Sequence, residues 1–124
     1  MSWFIVDVES DGPCPGLYSM VSFGAVRLDR ELRTKFRGQT APLDGANYQI
    51  EALKVSGTTR EQHLGYEQPG ATMHQFKDWI LAHSDGKPVL VSDNPAFDWQ
   101  FINWYFWRFC DGNPMGFSAR RIGD

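Results

Sequence analysis

Cysteine is scarce in this chain, with two among 124 residues, Cys14 and Cys110. Their spacing fits neither a metal cluster nor a redox pair, which argues against a disulfide scaffold, a zinc module or thiol chemistry. Free thiols in a reducing compartment, and hence a cytoplasmic location, are the expectation. Positive charge is also limited. Twelve Lys and Arg stand against 15 Asp and Glu, a net charge of −3, which leaves no broad basic footprint for gripping duplex nucleic acid. No apolar run approaches the roughly 20 residues of a membrane span, and no secretory leader pattern opens the chain, so no membrane partner is expected. Repeats and low-complexity segments are absent. Histidine occurs three times, at His63, His74 and His83, without ligand spacing and always before residue 98. What is plentiful is apolar surface. A hydrophobic content of 42% and an aromatic content of 15% argue against disorder and for a single domain over residues 1–124.

Two acidic clusters break this apolar background. Trp3-Phe4-Ile5-Val6 has the β-branched and aromatic content of a buried strand, and it runs into Asp7-Val8-Glu9. Residues two apart on a strand share a face, so Asp7 and Glu9 project side by side. Two carboxylates about 4 Å apart repel by roughly 4 kcal/mol at an effective dielectric near 20. A hard divalent cation, Mg²⁺ or Mn²⁺, is the natural neutraliser, because no Cys/His set is offered instead. The second cluster follows another apolar run, Pro88-Val89-Leu90-Val91. There Ser92-Asp93-Asn94-Pro95 reads as a loop, and Asp98 falls in the first turn of a helix, where the macrodipole favours a carboxylate. If the strands at 3–8 and 88–92 are parallel neighbours, Asp7, Glu9 and Asp98 converge at their carboxyl ends.

The remaining pattern predicts strands over 17–28 and 32–40, joined by a turn at Asp29-Arg30-Glu31. With the first strand they make a three-stranded antiparallel meander. A short helix is expected over 49–55, an amphipathic helix over 71–82 with Met73, Phe76, Trp79 and Ile80 inward, and a last helix over 96–109. In that last helix Phe97, Phe101, Trp104 and Tyr105 share a face and read as core, whereas Trp107 points elsewhere. The expected class is α/β, a mixed sheet of an antiparallel meander plus a parallel strand with flanking helices.

Phe4-Ile5-Val6-Asp7-Val8-Glu9-Ser10-Asp11-Gly12 resembles the first motif of the DEDDh 3′–5′ exonucleases, the DnaQ-like and ribonuclease T-like group with an RNase H-like fold. Ser22-Phe23-Gly24-Ala25-Val26 is similar to that family's second strand, and Leu53-Lys54-Val55-Ser56-Gly57-Thr58-Thr59 to the segment before its first helix. Asn94-Pro95-Ala96-Phe97-Asp98 looks like its second motif. The resemblance implies hydrolysis of phosphodiester bonds at single-stranded RNA or DNA 3′ ends. Two divalent ions held by Asp7, Glu9 and Asp98 would activate the attacking water and stabilise the leaving oxygen. It also implies substrate contacts from Val8, Ser10, Asn94 and Phe97. For Ser10 and Asn94, loop-stabilising roles weigh equally.

One departure stands out. The family's third motif, a His followed five residues later by an Asp, has no counterpart after Asp98, where only Asp111 and Asp124 remain as acids. The expectation is therefore a domain incomplete at its C-terminus, lacking a last strand and a covering helix. Such a chain would be weakly active and would self-associate through the apolar surface left bare. A missing general base alone costs a factor of about 10²–10⁴. The alternative from a different class is a non-catalytic module of degenerate nuclease fold that binds nucleic-acid ends or a protein partner. Asp11, Asp93 and the Arg120-Arg121 pair read as surface residues, and the three histidines as structural or exposed.

Overall fold

The computed structural model describes residues 1–123. Strands β1 (Ser2–Ser10), β2 (Met20–Arg27) and β3 (Lys35–Gln39) form the antiparallel meander. Short helices α1 (Ile50–Ser56) and α2 (Arg60–Leu64) follow, then the longer α3 (Pro69–Ala82). Strand β4 (Pro88–Ser92), helix α4 (Pro95–Cys110) and strand β5 (Ala119–Arg121) complete the chain. The sheet order is β3-β2-β1-β4-β5, with β4 parallel to both β1 and β5. This is the expected mixed sheet, with two differences. The predicted strand over 17–28 begins only at Met20, because Pro13, Pro15 and Gly16 keep the preceding segment in turns. The last short strand, expected to be missing, is present as β5. Its Arg120 and Arg121, read as a solvated stretch, pair in register with Val91 and Ser92.

Alternation along β1 separates two faces. Phe4, Val6 and Val8 are buried, whereas Ile5 and Glu9 are half-buried and Asp7 is exposed. The buried face meets α3 and α4 in one core. Phe23 of β2 and Phe106 of α4 flank Phe76 of α3, with ring centroids 4.8 and 5.5 Å from it. Fully burying each such ring stabilises by about 1.5–3 kcal/mol. Helix α3 starts with Pro69 at its first position, where a missing N–H costs nothing. Its buried residues Pro69, Thr72, Met73, Phe76 and Ile80 keep helical spacing and define the stripe pressed on the sheet. Helix α2, which the hydrophobic pattern alone does not reveal, is held by a reciprocal capping box between Thr59 and Gln62.

Among the described residues, the opposite face of β1–β2–β3 is left largely open, with Ser56 of α1 at its margin. It forms an open groove of ≈ 670 Å³ lined by Ile5, Asp7, Glu9, Gly24, Val26, Lys35 and Arg37, among others.

Candidate active site

Parallel pairing of β1 with β4 ends at Ile5↔Val91, and beyond that rung the two strands part. The backbone N–H groups of β1 past this point need other acceptors. At Val8 the acceptor is Asp98, whose Oδ1 lies 2.9 Å from the amide nitrogen. The second oxygen of Asp98 accepts from the Ser92 hydroxyl, and Ser92 Oγ in turn accepts from the Asn94 amide at 2.9 Å. Asp98 is only 2% exposed. Its burial follows from helix spacing, since positions 98, 101, 102, 105 and 106 share the inward side of α4, with the acid at the N-terminal end of an apolar stripe.

Three carboxylates thus gather at the end of β1. Burial, reinforced by the charges of Asp7 and Asp98, holds Glu9 above the usual carboxylate range. Burial also raises Asp98. Hydrogen bonds from Ser92 and Val8 oppose that rise, and the charges of Asp7 and Asp93 add to it. None of the ion pairs among the described residues reaches Asp7, Glu9 or Asp98. The acids approach closely enough to repel without closing round a point. Among the described residues, no three His, Cys, Asp or Glu side chains form a ready-made metal cage. The donor set nonetheless suits Mg²⁺ or Mn²⁺, being all oxygen and short of positive charge. Each bonded Asp98 oxygen also keeps a second lone-pair direction.

The other expected site residues are placed as follows. Val8 turns its side chain into the core and spends its N–H on Asp98. Ser10 is buried and donates to the Gly12 carbonyl at 2.7 Å, the local bond of a turn serine. Asn94 is exposed and supplies the backbone cap of α4 without a side-chain capping bond. Phe97 is half-buried against Phe101, centroids 5.2 Å apart. Asp111 caps the far end of α4 in the left-handed region (φ 55°). Thirteen residues of helix, about 20 Å, separate it from Asp98. It is no fourth ligand, and Asp124 lies outside the described residues.

Asp11 is a correction. Expected at the surface, it is fully buried beside the site. Its Oδ1 accepts from Ser19 N at 2.7 Å, and its carbonyl accepts from Gln49 N at 2.8 Å. Oδ2 faces His63 Nδ1 at 3.7 Å and Arg60 Nη1 at 3.8 Å, and all three atoms lack a hydrogen-bond partner. These spacings suit a bridging water. Arg60 also stacks on Tyr48, 4.0 Å from the ring centre. His63 is buried and bonds the Met20 carbonyl at 3.0 Å, the structural one of the two roles, structural or exposed, expected of the histidines. The cluster ties α2 and the segment before α1 to the chain just after Glu9. Only the proximity of Asp11 to the D-x-E pattern hinted at it.

A five-stranded sheet of order β3-β2-β1-β4-β5, with acids at the end of the first strand and in the helix after the fourth, has the RNase H-like fold expected from the sequence. Comparison with known proteins agrees. The chain is 38% identical over 120 residues to the 3′–5′ DNA exonuclease Cap18 of Escherichia coli, a match covering 94% of this chain and 63% of that protein. It superposes on E. coli exonuclease I in complex with a dT13 oligonucleotide with a TM-score of 0.75 at 20% identity, over 97% of this chain and 27% of that one. The zinc-bound form of the exonuclease I–ssDNA complex gives a TM-score of 0.74 at 20% identity, with the same coverage. No protein-family model matches the chain. The resemblance to the 3′–5′ exonuclease family therefore holds in sequence as well as in fold. The chain spans a little under two thirds of its curated relative's length.

Proposed function

We propose that the chain carries the acidic half of a metal-dependent 3′–5′ exonuclease site acting on single-stranded DNA ends, with Asp7, Glu9 and Asp98 as metal ligands. The observation that carries the reading is the meeting of Asp98 with Val8, between the two β1 acids, with no ion pair to any of the three carboxylates among the described residues. DNA rather than RNA is favoured because the relative at 38% identity is named a DNA exonuclease and the solved neighbours include a dT13 complex. Two divalent cations held by these acids would supply water activation and neutralisation of charge on the leaving 3′ oxygen.

The protein's own part is positioning. Val8 N–H and the Ser92 hydroxyl fix the Asp98 carboxylate at the end of β1. The strand repeat fixes Asp7 and Glu9 relative to each other. Burial raises the proton affinity of Glu9 and Asp98, so protons compete with the cation as pH falls. The three histidines, His63, His74 and His83, all precede Asp98 in the sequence, so the proposed site is its acidic part alone.

The test is degradation of a labelled oligonucleotide in Mn²⁺ or Mg²⁺. Slow shortening from the 3′ end, abolished by Asp7→Asn, is the expected result. Shortening that is untouched by Asp7→Asn refutes the assignment. One observation favours the alternative of a non-catalytic end-binding module, namely that both Asp98 oxygens are already bonded within the protein. Titration with Mn²⁺ separates the two readings, since a binding module has no need of an Asp7-dependent metal site.

A further inference from the structure

The groove above β1–β2–β3 has a charge pattern that the acidic site does not use. Register across the sheet sets Asp7 opposite Gly24 and Gly24 opposite Arg37, and likewise Ile5 opposite Val26 and Val26 opposite Lys35. Phe36, between the two cations, turns to the core and stacks on Phe76, so Lys35 and Arg37 share the face of Asp7 and Glu9. One wall of the groove is acidic and the other basic, two strand spacings or about 10 Å apart. Gly24 forms the floor between them, and a Cβ there would find no atom closer than 4.0 Å. Both cations are exposed, and neither makes an ion pair among the described residues.

We propose that Lys35 and Arg37 hold two backbone phosphates of the single strand whose end reaches Asp7 and Glu9. This proposal rests on the exonuclease reading and adds the path of the strand to it. Charge complementarity selects the occupant. A polyanion is repelled by the acids until cations bind there, and it is attracted by the opposite wall throughout. Lys35 and Arg37 are about 6.6 Å apart along β3, a separation that suits successive phosphates of an extended strand. Gln39, on the same face in the next rung and paired with Ser22, adds a neutral donor across the groove from Glu9.

The test is binding of fluorescein-labelled dT13 to the chain, measured by anisotropy in Mn²⁺ from about 50 to 200 mM salt. Two phosphate contacts on a single strand contribute about −1.4 to the slope of log K against log salt, or roughly sevenfold in affinity over that range. The Lys35→Gln/Arg37→Gln pair should lose that share. The Lys35→Arg/Arg37→Lys pair should keep it, as should Lys77→Gln on α3, across the sheet. A slope unchanged by the first pair, or lost equally in either of the other two, overturns the proposal and leaves the exonuclease reading standing. Absence of any binding by the unmodified chain overturns both.

Discussion

Replacing Asp98 separates what its charge does from what its hydrogen bonds do. The carboxylate accepts from a buried backbone N–H and from the buried Ser92 hydroxyl. Asp98→Ala removes both acceptors. Stranding a buried donor costs about 1–3 kcal/mol, and relief of one desolvated charge offsets part of the sum, so a loss of about 2–4 kcal/mol is expected. Asp98→Asn retains an oxygen for Val8, but its amide is a donor facing the Ser92 hydroxyl, which loses its acceptor and must turn to receive instead. Apart from the charge, its loss should therefore be about half that of Asp98→Ala, roughly 1–2 kcal/mol. The sign depends on pH. The folded-state pKa of Asp98 is raised, so its ionisation costs stability, and that cost grows as pH rises through the folded value. Asp98→Asn should therefore recover part of its loss at neutral pH, and the recovery should vanish below about pH 4, where the unfolded carboxyl is also protonated. Urea unfolding at pH 7 and pH 4 reads these differences. Adding Mn²⁺ at about 100 times its Kd should stabilise wild type by about 2.7 kcal/mol, and most of that should be missing in Asp98→Asn. If Asp98→Asn falls as far as Asp98→Ala, or keeps the full Mn²⁺ gain, Asp98 is a structural clamp and not a ligand.

Three further outcomes are expected. Burial, the largest influence on His63, holds its imidazole below its ordinary value. The unfolded chain then binds the extra proton, and stability should fall by up to about 1.4 kcal/mol per pH unit just below pH 6.5. Comparison of unfolding curves with His63→Gln isolates this dependence from that of the carboxylates, and identical pH profiles would contradict it. Tyr105→Phe strands the Met20 N–H, which bonds the phenol oxygen at 2.8 Å in the core, and should cost about 1–3 kcal/mol by chemical denaturation. We also propose that the exposed Leu17, Val55, Leu64 and Phe117 promote self-association. Sedimentation velocity should show dimers at high concentration, and a monomer at every concentration would count against it.

Much of the architecture was readable because local chemistry and burial agree. The apolar runs at 3–6 and 88–91 became the central strands, and the 3.6-residue spacing of Met73, Phe76 and Ile80 became the face of α3. Ends defined by turns were harder. Leu17 continues an apolar pattern, yet Gly16 at φ 93° starts a turn there, and turn geometry leaves no periodic trace. Strand β5 was hidden because three residues with two arginines carry no strand signal, and only its pairing with β4 makes it one. In the site, D-x-E was legible because strand alternation alone sets its geometry. The Asp11–His63–Arg60 cluster was not, because its members come from separate elements and lack motif spacing. Burial of charged residues is decided by tertiary packing, which a single sequence leaves unwritten.

The contact between Val8 and Asp98 spans 90 positions of the chain. Nothing near Asp7 and Glu9 can be complete until α4 has formed and docked, long after β1 has left the ribosome. Closing so long a loop is slow compared with helix formation, so docking of α4 is the step on which the acid cluster waits. A nascent copy therefore carries Asp7 and Glu9 without their partner acid until residues 95–110 have been made and folded.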